Sequence, residues 1–409
     1  MKKTVSILLV FISAIGSCDH AVNQGKESAS DNVREEDVLM DTWPEEGPEL
    51  LWIYEGLGRG YGGPCISEEG IFVNAEENGN SYIVGLDHQG TFRWKSPNGK
   101  EFMGMDFSAT YPGTRAAPTV SGGYVYAASG LGKVSCFDTE NGNVIWTVDL
   151  MHDLKGKLGD FGYSESPVVD NEKVYCFAGG MVDNLVAFDR KTGAVEWSAP
   201  VKRDSFAYST PILLGLADRN VLVGTSRNFI HVVDRQDGTL LSSYRLEDIK
   251  YGYEHCNSLI HRDGYIYFVP TEEHGQGSIK LRLSEDGTAL TEVWRNPNVV
   301  NVFEGFVVIN NWLYTTMENK KLLALDTETG RIRYSVRAVS GSIVQAEDKL
   351  IIYGHNGVVQ LFKLVQGKPE LRSEMRIKQG TGQHFSFPVI TDGVMYIRRG
   401  NALMAYRLR

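Results

Sequence analysis

The sequence has 409 residues, and its 41 Lys and Arg side chains are outnumbered by 51 Asp and Glu, which gives a net charge of −10 at pH 7. A surface this acidic argues against nucleic acid as a partner and makes anionic membrane surfaces equally unfavourable. The folded part, about 360 residues, is long for a single hydrophobic core, so we expect it to be built by repetition.

The N-terminus is predicted to be an export signal over residues 1–17. Lys2 and Lys3 form a positively charged start, and the apolar run Val5–Ile12, interrupted only by Ser6, follows them. This run is too short to span a bilayer as a helix. No other long apolar segment occurs in the sequence, so we expect the rest of the chain to be water-soluble.

The residues that follow, Ile15-Gly16-Ser17-Cys18, resemble the lipobox of bacterial lipoproteins. The resemblance implies cleavage before Cys18 and attachment of lipid to that cysteine, and several acyl chains on one residue anchor a protein stably. The alternative is an ordinary secretory signal that has a cysteine at this place by chance.

Residues 18–47 are predicted to be an acidic flexible tether. The stretch is polar and poor in large apolar side chains, so it cannot bury enough surface to order itself. It would lift the folded part off the membrane. The alternative is a short ordered extension of the fold.

Four cysteines remain for the folded part, and an even number in an exported protein permits two disulfides. All four lie in apolar, strand-like runs that are far apart in the sequence, which favours free buried thiols instead. These residues are Cys65, Cys136, Cys176 and Cys256.

One motif recurs through residues 48–409: an apolar residue, Asp, a Gly about four residues later, a short strand and an aromatic residue. Asp begins a turn by bonding its own backbone, and Gly adopts the backbone angle that the turn needs. Repeats at this spacing are typical of propellers and solenoids. The copies are Asp87 with Gly90 and Trp94, Asp138 with Gly142 and Trp146, Asp189 with Gly193 and Trp197, Asp234 with Gly238, Ser284 with Gly287 and Trp294, and Asp326 with Gly330 and Tyr334.

A second landmark precedes each copy: a short strand, a turn and a strand rich in Val, Ile and Tyr. Alternating apolar residues and turn residues predict β structure throughout, and no amphipathic helix is evident. Each unit therefore holds four antiparallel strands, and the fold is predicted to be an all-β, eight-bladed propeller. The eight units start near Pro64, Pro118, Pro167, Pro211, Asn257, Gly305, Gly341 and Pro388.

The last unit ends in LMAYRLR and lacks an outermost strand. We expect Leu50–Tyr54, at the other end of the folded part, to supply it. Joining the two ends in one blade closes the ring and removes exposed sheet edges. The aromatic residue on each outer strand is expected to pack against the next blade.

The copies CFDTENGNVIW, AFDRKTGAVEW and ALDTETGRIRY resemble the repeat of the pyrroloquinoline-quinone-type propellers, and the resemblance covers residues 50–409. The family has an enzymatic branch, the quinoprotein alcohol dehydrogenases. It also has a non-enzymatic branch, typified by the propeller lipoprotein of the outer-membrane β-barrel assembly machinery. The motif indicates the fold and does not by itself indicate an activity.

Departures from the dehydrogenase branch argue against an enzyme. That branch stacks its cofactor on a disulfide between adjacent cysteines, and this sequence has no Cys-Cys pair. Its calcium-binding Glu, Asn and Asp set has no matching positions here. We therefore predict no catalytic residue, no cofactor and no metal site, and the spacing of His255 and His384 is not diagnostic of a metal.

Ligand sites of propellers usually lie at the mouth of the central channel, where the chain enters each innermost strand. These positions are polar in this sequence, which suits a polar ligand or a peptide. Two long loops, Gly99–Thr114 and Asp149–Gly162, are expected to cover the same face. The candidate binding residues are Arg59, Tyr61, Arg115, Tyr163, Glu165, Tyr208, Glu254, His255, Asn301, Glu304 and His384.

Two further expectations concern the carboxylates in this set. If they crowd together at the mouth, they raise one another's pKa while Arg115 opposes the effect. Because neither Glu165 nor Glu304 occupies a predicted blade-packing position, their truncation is expected to leave the fold intact.

The function that these features favour is a protein-binding scaffold of the cell envelope. We expect a monomer anchored by lipid, facing the periplasm at the outer membrane, with envelope proteins or a polar ligand as partners. The alternatives are a quinone-dependent oxidoreductase and a module that binds a small polar ligand or glycan.

Overall fold

The computed structural model describes residues 38–205, 207–246, 255–271 and 277–409. Its strands form eight antiparallel sheets of four strands each, so the predicted eight-bladed, all-β propeller is confirmed. Helical structure in these ranges consists of two 3-10 turns, Asp106–Thr110 and Val201–Arg203.

Blades one to four use consecutive strands, from the channel outward. Blade one contains β2 (Cys65–Ser67), β3 (Gly70–Glu77), β4 (Asn80–Leu86) and β5 (Phe92–Lys100). Blade two contains β6 (Thr119–Ser121), β7 (Tyr124–Ala128), β8 (Lys133–Asp138) and β9 (Val144–Asp149). Blade three contains β10 (Val168–Val169), β11 (Lys173–Phe177), β12 (Leu185–Asp189) and β13 (Val195–Ala199). Blade four contains β14 (Ile212–Gly215), β15 (Asn220–Thr225), β16 (Phe229–Asp234) and β17 (Leu240–Arg245).

Blades five to seven repeat this arrangement. Blade five contains β18 (Ile260–Arg262), β19 (Tyr265–Phe268), β20 (Ser278–Leu283) and β21 (Leu290–Asn296). Blade six contains β22 (Phe306–Ile309), β23 (Trp312–Met317), β24 (Lys321–Asp326) and β25 (Ile332–Arg337). Blade seven contains β26 (Gly341–Ala346), β27 (Lys349–Gly354), β28 (Val358–Val365) and β29 (Lys368–Arg376). Every innermost strand begins within three residues of its predicted start.

Blade eight joins the two ends of the folded chain. It contains β30 (Val389–Thr391), β31 (Val394–Arg399), β32 (Ala402–Arg407) and, outermost, β1 (Leu50–Glu55). Strand β1 pairs antiparallel with β32, with Trp52 opposite Ala405. The predicted closure by an N-terminal strand agrees with this sheet.

The recurring motif forms the turn between the third and fourth strands of a blade. In blade two, Asp138 Oδ1 accepts the backbone N–H groups of Glu140 at 2.8 Å and Asn141 at 3.1 Å. Gly142 follows with φ +73°, in the left-handed region that favours glycine. Its N–H returns to the Asp138 carbonyl at 3.0 Å, so the motif residues have a structural role.

The outer-strand tryptophans join neighbouring blades, as predicted. The Trp94 indole N–H donates to the Thr139 carbonyl of the next blade at 3.0 Å, and its ring covers Gly142, where a Cβ would lie 2.5 Å from the ring. In each contact the acceptor is the carbonyl directly after a motif Asp. The same bond joins Trp52 to His88, Trp146 to Arg190, Trp197 to Arg235 and Trp294 to Thr327.

Residues 38–47, the last part of the predicted tether, lie against blades seven and eight. Leu39 and Trp43 are buried. The Trp43 N–H donates to Ser373 Oγ at 2.8 Å, and Asp41 pairs with the buried Lys349 at 3.1 Å. The ordered body therefore begins before residue 48, the predicted boundary.

The cysteines bear on the choice between disulfides and free thiols. Cys136 and Cys176 are buried and Cys256 is half-buried, and none of the three forms a disulfide. The prediction of thiols without disulfides is confirmed for these three and is wrong for Cys65, which is disulfide-bonded, and two disulfides among the four cysteines of the folded part are excluded. Within the described residues, no helix has the length and hydropathy of a membrane span.

Candidate functional site

The segments that lead into the innermost strands converge at the channel mouth. In several blades the side chain three residues before the blade-start Pro lies there: Tyr61 before Pro64, Arg115 before Pro118 and Phe385 before Pro388. The Tyr61 and Phe385 rings lie 5.7 Å apart between centroids, and the Arg115 guanidinium lies 5.6 Å from the Tyr61 ring. Residues separated by more than 300 positions in the sequence thus meet at one site.

Aromatic side chains cover the centre of this mouth. The centroid of the Phe385 ring lies 6.1 Å from that of Tyr111, 5.1 Å from that of Phe303 and 5.2 Å from that of His355. The ring centroids of Phe161 and Tyr111 lie 6.4 Å apart. All of these rings are partly exposed. We call the group the aromatic cluster: Tyr61, Tyr111, Phe161, Phe303, His355 and Phe385.

Arg115 lies within the aromatic cluster. Its guanidinium is 5.5 Å from the Phe161 ring and 5.6 Å from the Phe102 ring, which is the geometry of cation–π contact. It donates to the carbonyl of Gly113 at 2.9 Å and to that of Tyr111. Burial lowers the pKa of Arg115, and the charges of Tyr61 and Glu101 oppose this shift.

Three other predicted residues lie near the mouth. Arg59 forms a two-point ion pair with Glu76, at 3.1 and 3.3 Å. The Tyr208 ring packs edge-on against Phe161 at 5.9 Å, and its hydroxyl oxygen accepts the Phe161 N–H at 3.1 Å. His384 is half-buried and bonds the Tyr353 hydroxyl at 2.6 Å, and burial lowers its pKa to about 4.

The remaining described candidates are buried and do not line an open mouth: Tyr163, Glu165, His255, Asn301 and Glu304. Tyr163 donates its hydroxyl to the Ala178 carbonyl at 2.8 Å, and Asn301 bonds Thr315 Oγ1 at 2.6 Å. Glu304 accepts the N–H groups of Val302 and Phe303 at 2.8 and 3.0 Å. Glu254 and Cys18 lie outside the described residues.

Two expectations about the carboxylates are corrected. Burial, and not mutual repulsion, raises the pKa of Glu165 and of Glu304. Both side chains are enclosed by the protein, so their joint truncation would disturb packing as well as any binding. The physical reason is their position: Glu165 lies three residues before β10 and Glu304 two residues before β22, closer to the inner strand than Tyr61 and Arg115, which lie four residues before theirs.

Glu165 gives a testable pH dependence. Within the described residues neither carboxyl oxygen has a hydrogen bond of normal geometry, and burial raises its pKa well above the ordinary 4.5, opposed in part by the Phe177 backbone N–H. The folded protein then holds this proton more tightly than the unfolded chain. Stability is therefore fullest below pH 4.5 and falls as pH rises toward the folded pKa.

We expect Glu165→Gln to remove this loss. Between pH 4.5 and the folded pKa, the difference in unfolding free energy between the variant and the parent should change in favour of the variant by about 1.4 kcal/mol per pH unit. Urea unfolding at pH 5 and pH 8 measures the difference, with the exposed Glu196→Gln as control. A gap between variant and parent that is the same at both pH values would contradict a buried, protonated Glu165.

Two further arrangements of His, Cys, Ser and acidic residues bear on chemistry in the described part of the chain. In the described part of the chain, no group of three His, Cys, Asp or Glu side chains is arranged to hold a metal ion. Ser226, which is fully buried, bonds both His231 Nε2 at 2.8 Å and Asp204 Oδ2 at 2.7 Å. The carboxylate thus bonds the serine and does not orient the histidine, unlike a Ser-His-Asp triad.

The comparisons with known proteins agree with the fold. Residues 79–333 match the family model described as outer membrane protein assembly factor BamB. The chain belongs to the BamB family. The proteins of that name from Moranella endobia and Yersinia pestis are each 24% identical to it, over 57% and 60% of this chain.

These matches span 60% and 65% of the relatives' own length. Among solved structures, BamB from Moraxella catarrhalis superposes with a TM-score of 0.66 at 13% identity, covering 88% of this chain and 99% of that one. At that identity the structural likeness supports the propeller fold and leaves the function of the mouth to its own chemistry.

Sequence reasoning found Arg115, Tyr61 and Tyr208 but missed most of the aromatic cluster. Phe385 lies four residues before its inner strand, as Tyr61 does, so aligning the blade starts would have found it, whereas Phe303 lies three residues before β22. Tyr111 and Phe161 come from the two long loops that were expected to cover this face. His355 gave no such signal, since it follows a second strand within its blade.

Proposed function

We propose that this protein is a lipid-anchored propeller of the cell envelope that acts as a binding scaffold in outer-membrane protein assembly. The observation that carries the proposal is membership of the BamB family, whose description names outer membrane protein assembly. The channel mouth supports it, because partly exposed aromatic rings with an arginine among them are typical of protein-binding surfaces.

In this proposal Cys18 carries the lipid, and the protein faces the periplasm from the outer membrane as a monomer. The acidic stretch after Cys18 would act as the spacer between membrane and ring. Partners would be other envelope proteins, bound at the channel mouth.

Recovery of partners tests the scaffold. The full-length protein, cross-linked in cells and extracted in gentle detergent, should co-purify with outer-membrane assembly proteins. A protein extracted from cells without cross-linker is the background sample. Recovery of the bare monomer alone, from cells in which cross-linking of other complexes succeeds, would contradict a scaffold role.

The anchor has its own prediction. Cys18→Ala should move the protein from the membrane pellet to the soluble envelope fraction, because the proposed lipid is attached to Cys18. Its melting temperature should not change. Cys256→Ala, which leaves Cys18 in place, should stay in the pellet, and persistence of Cys18→Ala there would show that another anchor exists.

A further inference from the structure

Arg115, the cationic group at the channel mouth, lacks a carboxylate partner among the described residues. Arg115 bonds only backbone carbonyls, and among the described residues no carboxylate lies within ion-pair distance of it. By contrast, the buried Lys349 has Asp348 at 2.7 Å and Asp41 at 3.1 Å. Arg115 is half-buried, and withdrawing a charge from water without a counter-ion is costly, so an anionic ligand at this place would be favoured.

A second guanidinium lies near the first. Arg398 is fully buried and donates Nη1–H to the carbonyls of Asn74 at 2.7 Å and Gly62 at 3.1 Å, while its Nη2 has no partner among the described residues. Both arginines act electrostatically on the Tyr61 hydroxyl. The mouth is therefore locally positive although the whole chain carries a net charge of −10.

Glu101 is the carboxylate whose charge acts on Arg115, and it is a weak counter-charge. Glu101 is buried, and its Oε1 accepts the backbone N–H groups of Phe102 and Gly130, both at 2.9 Å. Burial raises the pKa of Glu101, which disfavours its ionised form. An anion arriving from outside would thus meet the half-buried Arg115, with the positive charge of the fully buried Arg398 behind it and, among the described residues, little competing negative charge.

The groups around Arg115 indicate which anion would bind there and which chemical groups should lie next to that anion. A guanidinium has five N–H donors, and the two carbonyl bonds leave three for a ligand. Arginine binds carboxylates through pairs of such donors. The partly exposed rings of the aromatic cluster surround this position, so apolar or aromatic groups next to the carboxylate would stack on them.

We propose that the channel mouth binds a carboxylate of a polypeptide partner, held by Arg115, with the partner's neighbouring apolar side chains packed on the aromatic cluster. The choice of a polypeptide rests on the proposed scaffold function. The carboxylate can come from a chain end or from an acidic side chain, since both present the same group.

Peptide binding to the full-length protein in detergent tests this proposal. The probes are a fluorescent peptide ending in a free-acid Phe, the same peptide with an amidated end, and an amidated peptide with an internal Asp-Phe pair. We expect a free carboxylate to improve affinity at least tenfold over the amide. Tighter binding of the free-acid peptide indicates that the site holds a chain end, and tighter binding of the Asp-Phe peptide indicates that it holds an acidic side chain.

Two variants separate the charge from the rings. Arg115→Gln should abolish the difference between acid and amide, whereas Arg372→Gln, on outer strand β29, should preserve it. Phe385→Leu should lower the affinity for all three probes while keeping the ratio between the acid and amide affinities. This variant still tests the proposal if Arg115→Gln does not fold. Equal binding of acid and amide to the parent protein would overturn the proposal.

A last comparison keeps this inference distinct from the function on which it rests. If pyrroloquinoline quinone, an aromatic carboxylate, binds in an Arg115-dependent way and no peptide does, the site belongs to a small molecule and the proposal fails. If no probe binds but cross-linking still recovers assembly partners, the mouth proposal fails and the scaffold stands. If peptides bind and no partner is recovered, the scaffold fails instead.

Discussion

Deleting residues 48–55 should lower the melting temperature by roughly 10 °C, because the last blade loses its outermost strand. Strand β32 would be left with an unpaired edge from Ala402 to Tyr406. The Trp52 indole would no longer bond the His88 carbonyl at 3.1 Å or cover Gly90, so blades eight and one would separate. Loss of this half-buried tryptophan alone costs about 3 kcal/mol.

The matched control removes eight residues from the acidic stretch, 22–29. That deletion shortens the chain equally and removes none of the strands β1 to β32, so its melting temperature should equal that of the parent. Scanning calorimetry of the three proteins makes the comparison. Equal melting temperatures for the parent and the 48–55 deletion would show that β1 does not hold the ring closed.

Arg398→Met should lower the unfolding free energy by about 3 kcal/mol. The guanidinium joins blade eight to blade one and to the loop before blade two, through bonds to Gly62, Asn74 and Thr114 Oγ1 at 2.7–3.1 Å. Methionine fills similar volume but leaves these buried acceptors without donors, at about 1–3 kcal/mol each. Removing an unpaired buried charge offsets part of that loss.

Chemical denaturation measures this effect, with Arg407→Met as control. Arg407 lies in the same blade, is exposed, and pairs with Glu49 at 3.3 Å, so its loss should cost under about 1 kcal/mol. A midpoint for Arg398→Met as high as that for Arg407→Met would mean that Arg398 does not help to close the ring.

The fold was open to prediction because it repeats. A turn that needs Asp and Gly, and an outer-strand Trp that covers the next Gly, leave the same local signature in each copy, as at Asp138, Gly142 and Trp94. The position of the strand Leu50–Tyr54 could be predicted because the last blade lacked its outermost strand and this strand belonged to no other blade. Local chemistry thus determined both the blades and their order.

The site was only partly predictable, because burial depends on neighbours that are remote in sequence. The offset from an inner strand selected Tyr61 and Arg115, which the structure brings together, with 5.6 Å between the guanidinium and the ring centroid. The same reasoning placed Glu165 and Glu304 at the mouth, but both lie closer to the inner strand, where their side chains are buried. Exposure at this position changes within a single residue, and the sequence pattern does not resolve that difference.

The start of the ordered body was missed for a similar reason. Residues 38–47 read as part of an acidic tether because their mean composition is polar. Leu39 and Trp43 are enough to hold them, since blades seven and eight offer apolar surface and Ser373 satisfies the Trp43 N–H. Composition averages over such anchors, whereas packing depends on individual side chains.

Site-specific photo-cross-linking in cells tests whether the channel mouth contacts another envelope protein. A photoreactive amino acid would replace Phe385 at the channel mouth, and the exposed Asn310, at the far end of an inner strand, would be the control position. If the mouth is the binding surface of an envelope scaffold, Phe385 should yield a discrete adduct with another envelope protein and Asn310 should not. Adducts of equal yield at both positions, or none at Phe385 in a protein that is folded and anchored, would contradict it.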